Sequence, residues 1–327
     1  MSPLLQGVLT IAVGVGGCIG YFWISSWLLD RVVFPARGPN IGRNINRANA
    51  VRPWLFLFPA MFALGLYLAY PVVGSFIRSL YNRAGNEFIG FSNYAQLFSS
   101  GEFQTAFFNN VLWVLFVPAA ATFFGLIAAQ LTDKLSWGTI AKSLIFMPMA
   151  ISFVGASLIW KFVYANDFDI GLINAIRGAL GASDTVDVLQ IPFWNNFFLM
   201  VILIWIQTGF AMVILSAALR GVPEDTIEAA IVDGANPFQI FLKIKVPQIM
   251  PTIMVVWTTI TILVLKVYDI VAAMGNQYRN LEILPTQMMQ YFDTGNYGFA
   301  TAISVVIMVI VLPVMVWNIR QVRSEMR

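Results

Sequence analysis

The residues of this chain that could do bond chemistry are few and far apart. There is no histidine and a single cysteine in 327 residues. That removes imidazole acid–base catalysis, histidine metal ligation and internal disulfides. Cys18 lies inside an apolar run and reads as a small packing residue, not a redox centre. No Gly-x4-Gly-Lys-Ser/Thr run offers a phosphate cradle, so nucleotide hydrolysis is not expected of this chain. No catalytic residue and no metal ligand is expected. Two patterns remain. One is a set of polar side chains inside apolar stretches: Gln207 and Thr208 after Trp205, then Thr258, Thr259 and Thr261, then the ionisable Lys266 and Asp269. The other is the segment Glu228 to Pro247, EAAIVDGANPFQIFLKIKVP, a glycine- and proline-punctuated element between two apolar stretches.

The elements that must position these groups follow from composition. The chain is 59% hydrophobic and 11% charged, where soluble domains carry about 25% charged residues. Several apolar stretches are near the ~20 residues that cross a bilayer core, and in lipid each must satisfy its own backbone as a helix. The fold class is therefore all-α transmembrane. Seven spans are predicted, at 4–29, 54–77, 107–131, 141–163, 197–219, 249–272 and 298–319. The first run is too long for a secretion signal and lacks a basic leader and a small-x-small cleavage site, so it reads as a retained helix. A net charge of +3 is no nucleic-acid signal; the placement of the charges matters more.

Arg31, Arg37, Arg43, Arg47 and Arg52 follow the first span, Lys134 and Lys142 the third, Arg220, Lys243 and Lys245 the fifth, and Arg320, Arg323 and Arg327 the last. These are thirteen of the 19 basic residues, and seven spans place them all on one side, which the positive-inside rule makes the cytoplasm. The N-terminus is then outside and the C-terminus inside. Segments 78–106, 164–196 and 273–297 fall outside; the second, with Asp167, Asp169, Asp184 and Asp187 against Arg177, is expected to form short interfacial helices, and the third holds Gln277, Arg279, Asp293 and Asn296. The Gly/Pro/Asn/Arg-rich linker Pro35–Arg52 sets residues 1–52 apart as an accessory helix and basic linker. Residues 53–327 form a six-helix domain with its key loop at 220–247. No internal repeat is visible, which weighs against a transporter built from two related halves. Pro59, Pro71, Pro118, Pro148 and Pro313 each remove a backbone hydrogen bond and can kink a span.

The 220–247 loop reads as two short helices meeting at a bend. Pro223 suits a first helical turn, and Glu224–Asp225 put negative charge at its positive end. Ile227, Ala230 and Ile231 share one side, and Gly234 supplies a C-terminal stop. Asn236 can cap a second helix with Pro237 at its first position. Phe238, Phe241, Leu242 and Ile244 give that helix an apolar side, and Pro247 is expected to end it. Two readings stand: docking of a protein partner, and a hairpin lying on the membrane surface. Membrane-surface helices carry Lys and Arg on the polar face. The first helix instead carries Glu224, Asp225, Glu228 and Asp233, which favours the partner.

The spacing Glu228-Ala229-Ala230, x3, Gly234, x9, Ile244, x, Val246-Pro247 resembles the EAA loop of ATP-binding-cassette importer permeases, with Val246 where that pattern has leucine. Trp205-Ile-Gln-Thr-Gly209-Phe210, Ala218-Leu219-x-x-Val222-Pro223, Lys266-Val-Tyr268-Asp269, Phe146-Met-Pro148, Trp160 and Gly171-Leu-Ile-Asn174 resemble the sugar-transporting branch. The likeness covers about residues 50–327 and is strongest to α-glucoside permeases, relatives of the maltose permease.

The resemblance implies a MetI-like, type I six-helix core plus one extra N-terminal transmembrane helix, in a bacterial inner (plasma) membrane. It implies a heterodimer with a second, homologous permease, two copies of an ABC ATPase subunit, and a periplasmic sugar-binding protein. No cofactor would sit on this chain; ATP and Mg would be held by the ATPase, and no nucleic acid is involved. Glu228, Ala229, Ala230, Asp233, Gly234, Ile244 and Pro247 would couple to the ATPase. The Glu228 helix would seat in a cleft of that subunit, with the alanines permitting close approach and Gly234 the bend.

A neutral sugar needs hydrogen bonds and flat apolar surface. The branch contacts sugar near Met149–Phe153, Trp205–Phe210 and Thr259–Lys266. The substrate-path candidates are therefore Met149, Phe153, Trp205, Gln207, Thr208, Phe210, Thr259, Lys266 and Asp269, with Gln207 preferred. The threonines could equally bond neighbouring helices. Lys266 and Asp269, at i, i+3, could pair; an unpaired charge at mid-bilayer costs ~2.5–3.5 kcal/mol or more. A structural role at the outer part of the cavity is favoured for them. Rival readings are an ion-coupled secondary transporter, which needs inverted repeats and cavity-facing carboxylates, and an intramembrane enzyme, which needs a nucleophile–base pair or metal cluster. The particular sugar is left open, with α-glucosides first.

Overall fold

The computed structural model describes residues 2–35, 41–133, 135–275 and 279–325. Arg37, Lys134, Gln277 and Arg327 lie outside the described residues, as do the side chains of Arg279 and Arg323. Described residues form helices α1 Pro3–Leu28, α2 Ile41–Leu64, α3 Tyr70–Ser79, α4 Ser92–Ser99, α5 Gly101–Asp133, α6 Gly138–Phe146, α7 Phe153–Val163 and α8 Leu172–Ala179. Then follow α9 Trp194–Arg220, α10 Glu224–Val232, α11 Pro237–Ile240, α12 Val246–Gln248, α13 Met250–Val264, α14 Asp269–Gly275, α15 Leu284–Asp293 and α16 Tyr297–Glu325. One isolated β-bridge, Tyr81–Phe88, is seen among them.

Five helices are long and apolar enough to cross a bilayer: Leu5–Val33, Ile41–Ser79, Gly101–Asp133, Trp194–Arg220 and Tyr297–Trp317. Two bent pairs raise the number to seven if each is one span. The expected fourth span, 141–163, is broken by 105° between Ala150 and Phe153. Pro148 tightens the chain into a 3-10 turn, Ile151 is extended, and the Ser152 hydroxyl caps α7 by accepting from the Gly155 N–H at 3.1 Å. The sixth, 249–272, also departs from a straight rod. It bends by 70° from the preceding helix at Ile249, then breaks again at Leu265–Tyr268, between α13 and α14. The linker expected over Pro35–Arg52 is helical from Ile41.

The chain divides into two units, Met1–Gly74 and Ser75–Arg327. Within the first, the Tyr21 hydroxyl donates to the Leu55 carbonyl at 2.8 Å, and Arg52 pairs with Asp30 at 2.6 Å. Most of α1 is exposed, as a lipid-facing helix requires. Cys18 is exposed too, so the packing role expected for it is not met within the chain.

The second unit is built around α9. Leu199, Met200, Ile202, Leu203, Ile206, Met212 and Leu215 are buried there against Trp113, Val117 and Ala121 of α5 and Val256, Ile260 and Val264 of α13. Lipid tails are as apolar as leucine, so helices in a bilayer associate through close backbone approach and polar contacts. Gly125 of α5 fits against Ala211, where an added Cβ would also come within 2.9 Å of the Met212 nitrogen. Gly209 of α9 lies against α6, where a Cβ would sit 2.6 Å from the Ile145 carbonyl oxygen and 2.9 Å from Phe146 Cα. At the Trp194 end, Asn196 donates to Asn109 Oδ1 at 3.1 Å, and Asn109 donates to the carbonyls of Asn280 (2.9 Å) and Glu282 (2.8 Å). Asn110 Oδ1 accepts from the Leu284 N–H at 2.7 Å. These buried amides fasten the 279–284 turn onto α5 and α9.

Because Gly209 has backbone against it, Gly209→Val should cost about 1–3 kcal/mol by overpacking and lower the melting temperature of the detergent-solubilised protein. Gly14→Ala in α1, with nothing within 4 Å, should leave it unchanged.

Candidate functional site: the loop between α9 and α13

The Glu228–Pro247 segment folds as a capped, bent lever. Pro223 is the N-cap residue of α10, one position before the first turn expected for it, and Glu224 and Asp225 occupy that turn. Past Val232 the helix closes as the Ala235 N–H reaches the Ala230 carbonyl at 2.9 Å, with Gly234 at φ +82°. That left-handed conformation is open to glycine and strained for L side chains. Asn236 Oδ1 then accepts from the Gln239 N–H at 2.8 Å, while Gln239 Oε1 accepts from the Asn236 N–H at 2.9 Å. This reciprocal box starts α11 with Pro237 in its first turn. The second helix ends one residue past Pro247, at Gln248. A π turn over Phe241–Lys245 leads into α12, whose first turn holds Pro247, and the bend comes at Ile249 before Pro251 of α13.

The lever has two faces. Ala230 and Ile240 are buried, and Ile227, Ile231, Ala235, Ile240 and Phe241 border a hollow of about 340 Å³ beside Gln130 of α5. The other face is open: Val232 is 86% exposed and Phe238 70%, with Glu228, Ala229 and Asp233 exposed beside them. Ile244 is half-buried and Pro247 exposed. Large apolar side chains this exposed, next to carboxylates, form a surface suited to another protein.

The substrate-path candidates do not converge in one place. Trp205 and Thr208 line a mostly apolar hollow of about 770 Å³ with Phe116, Phe124 and Trp160, and Trp205 meets Trp160 edge to face at 5.8 Å. Phe153 and Phe210 pack half-buried against the main core, and Met149 is exposed. Gln207 is buried, 4% exposed. The hydroxyls of Thr208, Thr258, Thr259 and Thr261 donate to carbonyls four residues back, those of Ile204, Met254, Val255 and Trp257. The Lys266–Asp269 pair that the i, i+3 spacing allows does not form. The break at Leu265–Tyr268 separates them; Asp269 opens α14, where a carboxylate suits the helix N-terminus, and Lys266 borders a different hollow with Tyr268 and Met288. Sequence reasoning missed Asn109, Asn110 and Asn196. Their signal was asparagine in apolar helical text, but not which partners they would meet.

Residues 121–323 match the family described as binding-protein-dependent transport system inner membrane component. An alpha-glucoside transport system permease protein, AglF of Rhizobium meliloti (strain 1021), is 57% identical over 99% of both chains. GgtC of Synechocystis sp., an osmoprotective compounds uptake permease protein, is 43% identical over 83% of this chain and 99% of its own. A chain of a bacterial alginate ABC transporter, solved with an alginate pentasaccharide-bound periplasmic protein, superposes with a TM-score of 0.70 over 85% of this chain and 96% of its own, at 22% identity. That likeness concerns the fold.

This chain belongs to the binding-protein-dependent ABC importer permeases. It is a multi-pass translocation subunit and not an enzyme, which sets aside both the ion-coupled carrier and the intramembrane enzyme.

Gly234→Val should strain the turn by roughly 1–2 kcal/mol, and Asn236→Ala should cost about 1 kcal/mol of capping. Amide hydrogen exchange should rise across 224–248 in both variants while the buried amides of α9 keep their protection.

Proposed function

We propose that this chain forms half of the translocation path of an ATP-driven importer for a neutral oligosaccharide or glycoside, with α-glucosides the first candidates. Its N-terminus lies outside and its C-terminus in the cytoplasm of a bacterial inner membrane. Residues 1–52 are an accessory helix and basic linker, and residues 53–327 the permease domain. Its partners are a second, homologous permease, two ABC ATPase subunits that hold ATP and Mg, and a periplasmic sugar-binding protein.

One observation carries the coupling half of this reading. A bend held by Gly234 and the Asn236 box turns Val232 and Phe238 outward beside Glu228 and Asp233. Burying those two side chains is favourable at about 25 cal/mol per Å², and anionic lipid would repel the carboxylates. Glu228, Ala229, Ala230, Asp233 and Gly234 thus belong to the contact, with Ile244 and Pro247 setting the second helix behind it.

For the cargo, the fitting feature is Gln207, a buried residue with an amide side chain on the same helix as Trp205. A sugar hydroxyl can hydrogen-bond to an amide, and aromatic faces suit sugar rings. AglF, named for alpha-glucoside transport, directs the first choice of cargo. Met149, Phe153, Thr208, Phe210 and Thr259 are secondary contacts, and Lys266 and Asp269 brace the cavity separately.

In the reconstituted complex, Glu228→Lys or Gly234→Pro should abolish uptake and ligand-stimulated ATP hydrolysis while the chain still inserts. Normal uptake by both would refute docking through this loop. Gln207→Leu should raise the KM for sugar by roughly ten-fold or more, the loss of a buried polar contact. An unchanged KM would remove Gln207 from the path.

A further inference from the structure

Asp133, Lys142, Ser216 and Arg220 close a polar ring between the ends of α5 and α9 and the middle of α6. Lys142 Nζ and Arg220 Nε both donate to Asp133 Oδ1, each at 3.0 Å. The same two cations reach Ser216 Oγ, Lys142 at 2.6 Å and Arg220 at 3.4 Å. Asp133 ends α5, Lys142 lies on α6, and Ser216 and Arg220 lie in the last turns of α9. Isolated surface ion pairs contribute little. Here one carboxylate oxygen serves two cations, and the Lys142 side chain is only 17% exposed. Removing the shared anion would leave two like charges side by side at the end of the bundle.

Position gives the ring its meaning. Only Gly221, Val222 and Pro223 separate Arg220 from α10, so any displacement of the lever meets the ring first. The α5–α6 approach on its other side is close: an added Cβ at Gly138 would collide with the Thr132 carbonyl oxygen. At its far end α6 is held to α9 by the close approach at Gly209. Helix α6 is thus fastened to α9 at its middle, through Lys142, and at its C-terminal end, and it continues into the Met147–Ala150 turn and α7. A hollow of about 690 Å³ bordered by Asp133, Thr139, Lys142, Phe146 and Arg220 lies beside the ring, leaving room for this junction to shift.

We propose that Asp133, with Lys142, Ser216 and Arg220, is a set of positioning residues that carries movement of the α10 lever into α6 and so to the Met147–Phe153 segment. The inference rests on the coupling role assigned above to Glu228. The ring makes α5–α6 and α9–α10 move as one body.

The test is sugar transported per ATP hydrolysed, in the full complex reconstituted in vesicles with its binding protein. Asp133→Asn should leave ATP hydrolysis running and lower that ratio about five-fold or more, the scale of an ordinary coupling free energy. Asp133→Glu should restore most of it. Arg220→Gln, at a side chain 61% exposed, should lower the ratio less and stands in if Asp133→Asn does not insert. A wild-type ratio in either neutralising variant would overturn the inference, as would a loss that only follows the amount of inserted chain. Glu228→Lys should instead silence stimulated hydrolysis itself. A wild-type complex without ATP-driven uptake would sink both readings; normal wild-type coupling with unaffected ring variants would sink this one alone.

Discussion

Helices in a bilayer gain almost nothing by hiding apolar surface from lipid that is equally apolar, so this protein is held together by how closely its helices approach. Helix α9 is where that constraint is met. Gly125 and Gly209 let α5 and α6 come within backbone distance of it, and fully buried aliphatic side chains fill the rest. Asparagines fasten the Trp194 end, and the Asp133 ring the Arg220 end. At the Trp194 end the asparagines are buried, where an unsatisfied amide is costly.

The lever grows out of this anchored helix. Its geometry is locally determined: a glycine in the left-handed region, a reciprocal Asn236–Gln239 cap and a proline in the first turn. Local determination lets so short an element hold a shape without a core of its own. Its inner face rests on Ile227, Ala230 and Ile240, and its outer face presents Val232 and Phe238.

Legibility varied with the range of the interactions. The apolar lengths located the five helices long enough to cross a bilayer, since that is a matter of local composition, while the stretches 141–163 and 249–272 turned out broken. The cap and bend of the lever were also readable, from Gly234, Asn236 and Pro237. The Pro35–Arg52 linker misled, because its Gly, Asn and Arg content suggests coil while the chain is helical from Ile41. Pro247 was a fair stop signal: the helical run from Pro237 goes only one residue past it, to Gln248, before the bend at Ile249. Lys266 and Asp269 have the spacing of a helical pair, yet the helix that would make them neighbours stops between them.

The sequence by itself determined a helical membrane protein, its importer loop and the family to which it belongs, because hydropathy, caps and a twenty-residue motif act over short stretches of chain. Only the tertiary structure decided which helix is central, where two spans break, and that Asp133 meets a lysine 9 residues and an arginine 87 residues further on. Those outcomes depend on which backbones can touch, and no local pattern encodes the distance between helices.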